Sequence, residues 1–196
     1  MYEDVQEQGM SGKYRKNYEY RDVTDENGKA SVQMVYVGMY YYNPMNPREQ
    51  ALLAKDSLVF SSGCLAAFLV AGLMNSGAGH SFLVTIPYVI SFLPVVYFML
   101  GAFGIRRMSE MLEEEQYEKS IGRTARSSIM TCFFSVVTLL TDLIFMIRSH
   151  ERISLPGDVI FPAAMIVMCA LSFIFFRRNR KRINSVTKQE QGFKGL

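Results

Sequence analysis

What this chain lacks narrows its class before any motif is read. Residues 1–56 are polar, so no cleavable leader is expected and the first long apolar run should act as an uncleaved anchor. Only three cysteines occur, Cys64, Cys132 and Cys169, and each lies inside an apolar run, which argues against an extracellular disulfide framework. The two histidines, His80 and His150, sit near Asp158 and Glu151 without ligand spacing, so they make a poor metal site. There is no Gly-rich phosphate loop, no histidine pair at helical spacing, no serine elbow and no intramembrane protease pattern. Neither an enzymatic activity nor a cofactor or metal is expected.

The other scarcity is positional. Four apolar runs, Leu58 to Met74, Ser81 to Gly104, Ile129 to Ile147 and Val159 to Phe176, are each long enough to span or nearly span a hydrocarbon layer of about 30 Å as helices. Backbone groups in lipid must be bonded internally, and the alternation of barrel strands is absent, which leaves helices as the spanning form. The overall hydrophobic content of 49% and mean hydropathy of +0.10 conceal these runs, because polar ends and a charged loop dilute them. Between the runs, basic residues are almost absent from one side, which holds only Arg148 and Arg152 of the 21. The first 57 residues hold Lys13, Arg15, Lys16, Arg21, Lys29, Arg48 and Lys55, and the central loop holds Arg106, Arg107, Lys119, Arg123 and Arg126. The last segment adds Arg177, Arg178, Arg180, Lys181, Arg182, Lys188 and Lys194. This asymmetry predicts a multi-pass protein of the cell membrane with both ends in the cytoplasm.

The expected fold is therefore an all-α integral membrane protein, a four-helix bundle with a small N-terminal cytoplasmic β-hairpin. Three segments follow: residues 1–46 with the hairpin at about 17–42, a membrane domain at 47–176, and a basic tail at 177–196. The hairpin is read from Tyr18, Tyr20 and Val23, the turn signal Asn27-Gly28, and the Val-, Met- and Tyr-rich run from Ala30 to Tyr42. A lone hairpin is marginal in water, so it should lean on the membrane surface, the central loop or another chain. Tyr40, Tyr41 and Tyr42 suit either the headgroup layer or strand packing. Asn46-Pro47-Arg48-Glu49 spells a capped helix start. In the central loop, Ile105, Met108 and Leu112 recur at helical spacing, Glu113, Glu114 and Glu115 are expected to face water, and Gly122 should mark the turn into the third span.

Inside the spans, three patterns carry the candidate sites. Gly63, Ala67 and Ala71 form a small-residue stripe suited to close helix packing. Pro87 and Pro94 each remove a hydrogen bond from the second span. Ser128, Thr131, Ser135, Thr138 and Asp142 follow steps of three and four and so share one face of the third span, opposite Phe133, Val136, Leu140 and Ile144. Asp142 lies roughly 9 Å below the outer end by helix rise, where Thr85 and Tyr88 of the second span are its candidate partners. The stripe reads as a polar packing seam or as a proton or ion pathway through Asp142. The three cysteines fall at similar depth and should share a layer.

The run Arg177-Arg178-Asn179-Arg180-Lys181-Arg182 has no aromatic stacking partners, so its expected role is topological, with attraction to anionic lipid and no nucleic-acid binding. The expected partners are the bilayer and a homo- or hetero-oligomeric membrane protein. Two functions remain: a structural or accessory subunit docking through its cytoplasmic face, and an oligomeric small transporter or channel using Asp142.

Overall fold

The structure, a computed structural model, describes residues 15–24, 30–74, 81–148 and 157–189. Four long helices carry it: α1 (Pro47–Leu73), α2 (Phe82–Ile105), α3 (Glu114–Arg148) and α4 (Gly157–Ser185). Each is long and apolar enough to cross a membrane. α1, α3 and α4 exceed the apolar runs that predict them, mostly at the end of the bundle where the termini of the described chain gather, whereas α2 matches its run in length.

Local chemistry sets the helix starts. Asn46 accepts from the Glu49 amide at 2.9 Å while Glu49 accepts from the Asn46 amide at 3.3 Å, and Pro47 occupies the first helical position. Glu114 and Glu115 fill the first turn of α3, where carboxylates suit the positive end of the helix dipole. At the other polarity, α2 ends with carbonyls that its own helix cannot satisfy. Gln50 of α1 supplies the donors, its Nε2 lying 3.0 Å from the Ile105 carbonyl and 2.9 Å from that of Met108.

The helices form a ring in which α1 packs on α2 and α4, and α3 packs on the same two. Rings fill the centre: Phe98 of α2 and Phe60 of α1 both pack on Phe175 of α4, and Phe68 of α1 stacks on Tyr88 of α2 at 4.5 Å. From Arg123 onward the buried residues of α3 are Thr124, Ser127, Ser128, Thr131, Ser135, Thr138 and Asp142, while its large side chains Leu139 and Phe145 pack on the core only partly buried. Its outer face bears exposed Phe133, Leu140, Ile144 and Ile147. A helix that is polar inside and apolar outside inverts the pattern of a water-soluble bundle.

At the end from which α1 and α3 start, hereafter the head end, the chain makes two small sheets. Strands β1 (Tyr18–Thr24) and β2 (Ala30–Tyr36) form the antiparallel hairpin, in register from Tyr18 opposite Tyr36 to Thr24 opposite Ala30. Its Asn27-Gly28 turn lies outside the described residues. A second sheet has β3 (Tyr40–Tyr42) at its centre, between β4 (Met111–Glu113) and β5 (Thr187–Gln189). Tyr41 lies opposite Leu112 on one side and Lys188 on the other.

Three expectations are corrected here. The hairpin stops at Tyr36, because the Val37 and Gly38 amides turn to the Asn17 carbonyl at 2.7 and 3.2 Å, and Tyr40–Tyr42 then joins a different sheet. Gly122 does not mark a turn: α3 has already begun at Glu114, and Glu118–Gly122 is a π-helical segment within it. The basic run 177–182 is not a free tail, since α4 continues through it to Ser185, burying Asn179 and Ile183.

Candidate functional site

The five residues of the α3 stripe are all fully buried. Their hydroxyls do not reach across to neighbouring helices. Ser128 donates to the Ala125 carbonyl at 2.9 Å, Thr131 to Ser127 at 2.8 Å, Ser135 to Thr131 at 2.6 Å and Thr138 to Phe134 at 2.8 Å, all within α3. Each polar group is thus satisfied by its own backbone, which leaves a smooth, narrow face where α2 and α4 approach. The stripe also runs farther than its sequence core. Thr124 and Ser120 are buried on the same face and back-bond to Ser120 and Gln116 at 2.9 and 2.6 Å. Opposite them a Cβ on Gly101 would lie 2.9 Å from the Thr124 backbone nitrogen, so only glycine permits this approach.

Asp142 is the exception within the stripe. It has no accessible surface, and neither carboxylate oxygen has a hydrogen-bond partner among the described residues. Asp158, buried in the first turn of α4, is near enough for the two carboxyl groups to act on each other electrostatically. Tyr88 is not the partner expected from depth, because its hydroxyl donates to the Phe68 carbonyl of α1 at 2.7 Å and its ring stacks on Phe68. Thr85 does not bond to Asp142 either. Thr85 and Tyr88 instead line a cavity of about 200 Å³ with Ala71, Gly72 and Phe161. His80, His150, Glu151 and Arg152 lie outside the described residues.

The small stripe of α1 packs on α4. A Cβ on Gly63 would stand 2.9 Å from Leu171 Cδ1 of α4, while Ala67 and Ala71 are buried beside it. Next to Gly63, Cys64 belongs to a layer that also holds the other two cysteines. Cys132 Sγ of α3 lies 3.5 Å from Cys169 Sγ of α4, and Cys64 Sγ of α1 lies 3.3 Å from Ser172 Oγ of α4. Among the described residues no three or more His, Cys, Asp or Glu side chains converge in a way that would hold a metal ion.

The head is held by longer-range contacts. Tyr18 donates to Glu113 at 2.6 Å, Asn17 donates to Glu114 at 2.9 Å, and the Glu114 amide donates to the Tyr36 hydroxyl at 3.1 Å. The acidic run expected to face water therefore anchors the hairpin to the start of α3. Burial, then the hydrogen bond and charge of Glu113, push the Tyr18 phenol above its ordinary pKa. Burial does the same to Tyr40 and Tyr41. Tyr41 stacks flat on Tyr117 with centroids 4.0 Å apart, and Tyr36 packs edge-on against Tyr18 and Tyr40. Strand packing thus accounts for Tyr40 and Tyr41, and Tyr42 alone of the three is exposed.

Sequence reasoning missed Asp56. This α1 carboxylate forms ion pairs with Arg178 at 3.1 Å and Arg182 at 3.8 Å, and Arg182 also donates to Asn179 Oδ1 at 2.9 Å. The signal was an acid just before the first apolar run facing a basic run just after the last. Among known proteins, no family model matches this chain, and no curated protein or solved structure matches it significantly.

Proposed function

We propose that this chain is a multi-pass protein of the cell membrane that serves as a structural or accessory subunit of a membrane complex, docking through its cytoplasmic face. The observation that carries this reading is the build of the head. Strands from before α1, between α2 and α3, and after α4 pair in one sheet, and the hairpin is fastened to it through Tyr18, Asn17 and Tyr36. Those three segments, with the head-side turns of the helices they adjoin, carry nineteen of the 21 basic residues, which supports a cytoplasmic head. The outer half of the hairpin presents exposed Tyr20 and Val32 beside Met34 on one face. A hairpin fastened to the bundle that presents exposed Val32 suits protein docking. The bundle below it, with hydroxyls turned onto their own backbones, suits a scaffold better than a polar channel.

The test is recovery of the complex from native membranes in mild detergent, followed by mass measurement. A different protein retained in fixed stoichiometry by the wild type and lost in Val32→Glu supports docking; a pure homo-oligomer indifferent to that change refutes it. Labelling of Lys16 and Lys188 from the cytoplasmic side only, in sealed vesicles, tests the orientation.

A second reading has one observation in its favour, the bare carboxylate of Asp142. An ionised group so placed costs several kcal/mol unless a cation or donor joins it, which fits a small oligomeric transporter or channel that loads a proton or cation there. Flux in reconstituted vesicles that Asp142→Asn abolishes would establish this reading, and flux unchanged by that substitution would end it.

A further inference from the structure

On the outward side of the α2–α3 contact, a groove of about 360 Å³ runs between Leu93, Pro94 and Tyr97 of α2 and Arg126, Met130 and Phe134 of α3. Its borders are exposed apolar residues, with Leu93 at 58% and Met130 at 51%. Phe133, Leu140 and Ile86 are exposed on the same two helices, so in the membrane reading the groove opens toward lipid. Its two ends differ in chemistry. From Phe134 the floor is apolar as far as Met130, and one turn further it ends in guanidinium.

Two arginines stand at that end. Arg126 lines the groove itself and is mostly exposed. Its Nε donates to the Gly122 carbonyl at 3.1 Å, and its Nη2 lies 3.9 Å from Glu118. Arg123, three residues earlier on the same face, sits 5.6 Å from the ring centre of Tyr97, which is also a groove wall. Among the described residues Glu118 is the carboxylate beside Arg126, and the two guanidinium groups make a positive mouth over an apolar slot. From Arg126 to Phe134 is about 12 Å along the helix, which suits a stretch of acyl chain. The backbone turns of both arginines are already set by α3, so the mouth is positioned before any ligand arrives.

We propose that this groove is a binding site for an anionic phospholipid, with its phosphate on Arg126 and Arg123 and one acyl chain lying along Met130 and Phe134. Charge complementarity selects the headgroup, and the apolar floor selects a lipid over a soluble phosphate. Arg126 is the specificity-determining residue; Met130 and Leu93 shape the slot. The site rests on the membrane reading proposed above, and reconstitution itself reports on that reading separately.

The experiment uses the full chain reconstituted in nanodiscs of equimolar phosphatidylglycerol and phosphatidylcholine, then extracted and examined by native mass spectrometry for retained lipid. Failure to enter the discs at all would remove the membrane reading. With insertion secured, the wild type should retain one phosphatidylglycerol per chain in preference to phosphatidylcholine. Arg126→Gln should lower that preference about fivefold, the share of one basic group near a membrane surface. Met130→Trp, or Leu93→Trp should the first prove misfolded by circular dichroism, should abolish retention by filling the slot. No preference in the wild type overturns the proposal. So does preference that survives Arg126→Gln, or that survives a folded slot-filling variant, since the second would mean surface attraction without a seat.

Discussion

The α3 seam and the head dispose of polar groups in opposite ways. In the seam, the hydroxyls of Ser120, Thr124, Ser128, Thr131, Ser135 and Thr138 each bond within three or four residues of themselves. In the head, Tyr18 reaches Glu113 and Asn17 reaches Glu114 across most of a hundred residues. The seam uses Ser and Thr chiefly because they are small, since their polarity is consumed locally. The head uses Tyr, Asn and Glu because they reach, and their polarity is what joins distant segments. One region should therefore be sensitive to size and the other to hydrogen-bonding chemistry.

Size should produce the largest effects. Gly101→Val forces a Cβ against the Thr124 backbone, and separation of α2 from α3 should lower stability by about 3 kcal/mol, measured by reversible unfolding in mixed micelles. In the same seam, Ser135→Leu should cost about 2 kcal/mol by overpacking, whereas Ser135→Ala, which keeps the size, should stay within about 1 kcal/mol. If Ser135→Ala costs as much as Ser135→Leu, polarity matters in the seam after all and the contrast fails.

Chemistry should dominate in the head. Glu113→Gln keeps the shape but removes the charged acceptor of Tyr18, and should loosen the hairpin by about 1 kcal/mol, since the bond is only partly buried. Amide hydrogen exchange in β1 and β2 should rise while that of α1 to α4 stays unchanged. The same pair predicts a pH response. The phenol of Tyr18 is raised in the docked state, so the docked form holds its proton while the released hairpin ionises near about pH 10. Docking is then complete below about pH 10 and weakens as pH rises above it. Exchange in the hairpin that falls at higher pH, after correction for intrinsic rates, would contradict this.

The smallest perturbation tests the geometry of the cysteine layer alongside the seam. With Cys132 and Cys169 sulfurs 3.5 Å apart, a membrane-permeant oxidant such as copper phenanthroline should join them within one chain, lowering its mass by two hydrogens with little change in stability. Cys64→Ser should not prevent it; Cys132→Ser should.

The four helices were legible because an apolar run of spanning length has few other physical meanings, and the α1 cap because Asn, Pro and Glu each suit their position for separate reasons. The α3 stripe was legible from Ser128 to Asp142 by spacing alone. Its continuation to Thr124 and Ser120 was hidden by reading Gly122 as a turn, when the π-helical segment absorbs that glycine without ending the helix. Strands of three residues such as Tyr40–Tyr42 have too little pattern to announce themselves, and their partners Met111–Glu113 and Thr187–Gln189 lie far along the chain. Tyr88 was assigned to Asp142 by depth, but depth does not fix azimuth, and its ring turns toward Phe68.

The β4-β3-β5 sheet sets an order of events during synthesis. Its middle strand is made before any of the four long helices, its first edge after two of them, and its second edge only after α4 has ended at Ser185. Until then Tyr40–Tyr42 carries an open edge, the kind of surface that recruits foreign strands. A nascent chain stalled after two helices leaves that edge bare. The closed sheet is thus a record, readable at the head, that every long helix has been made.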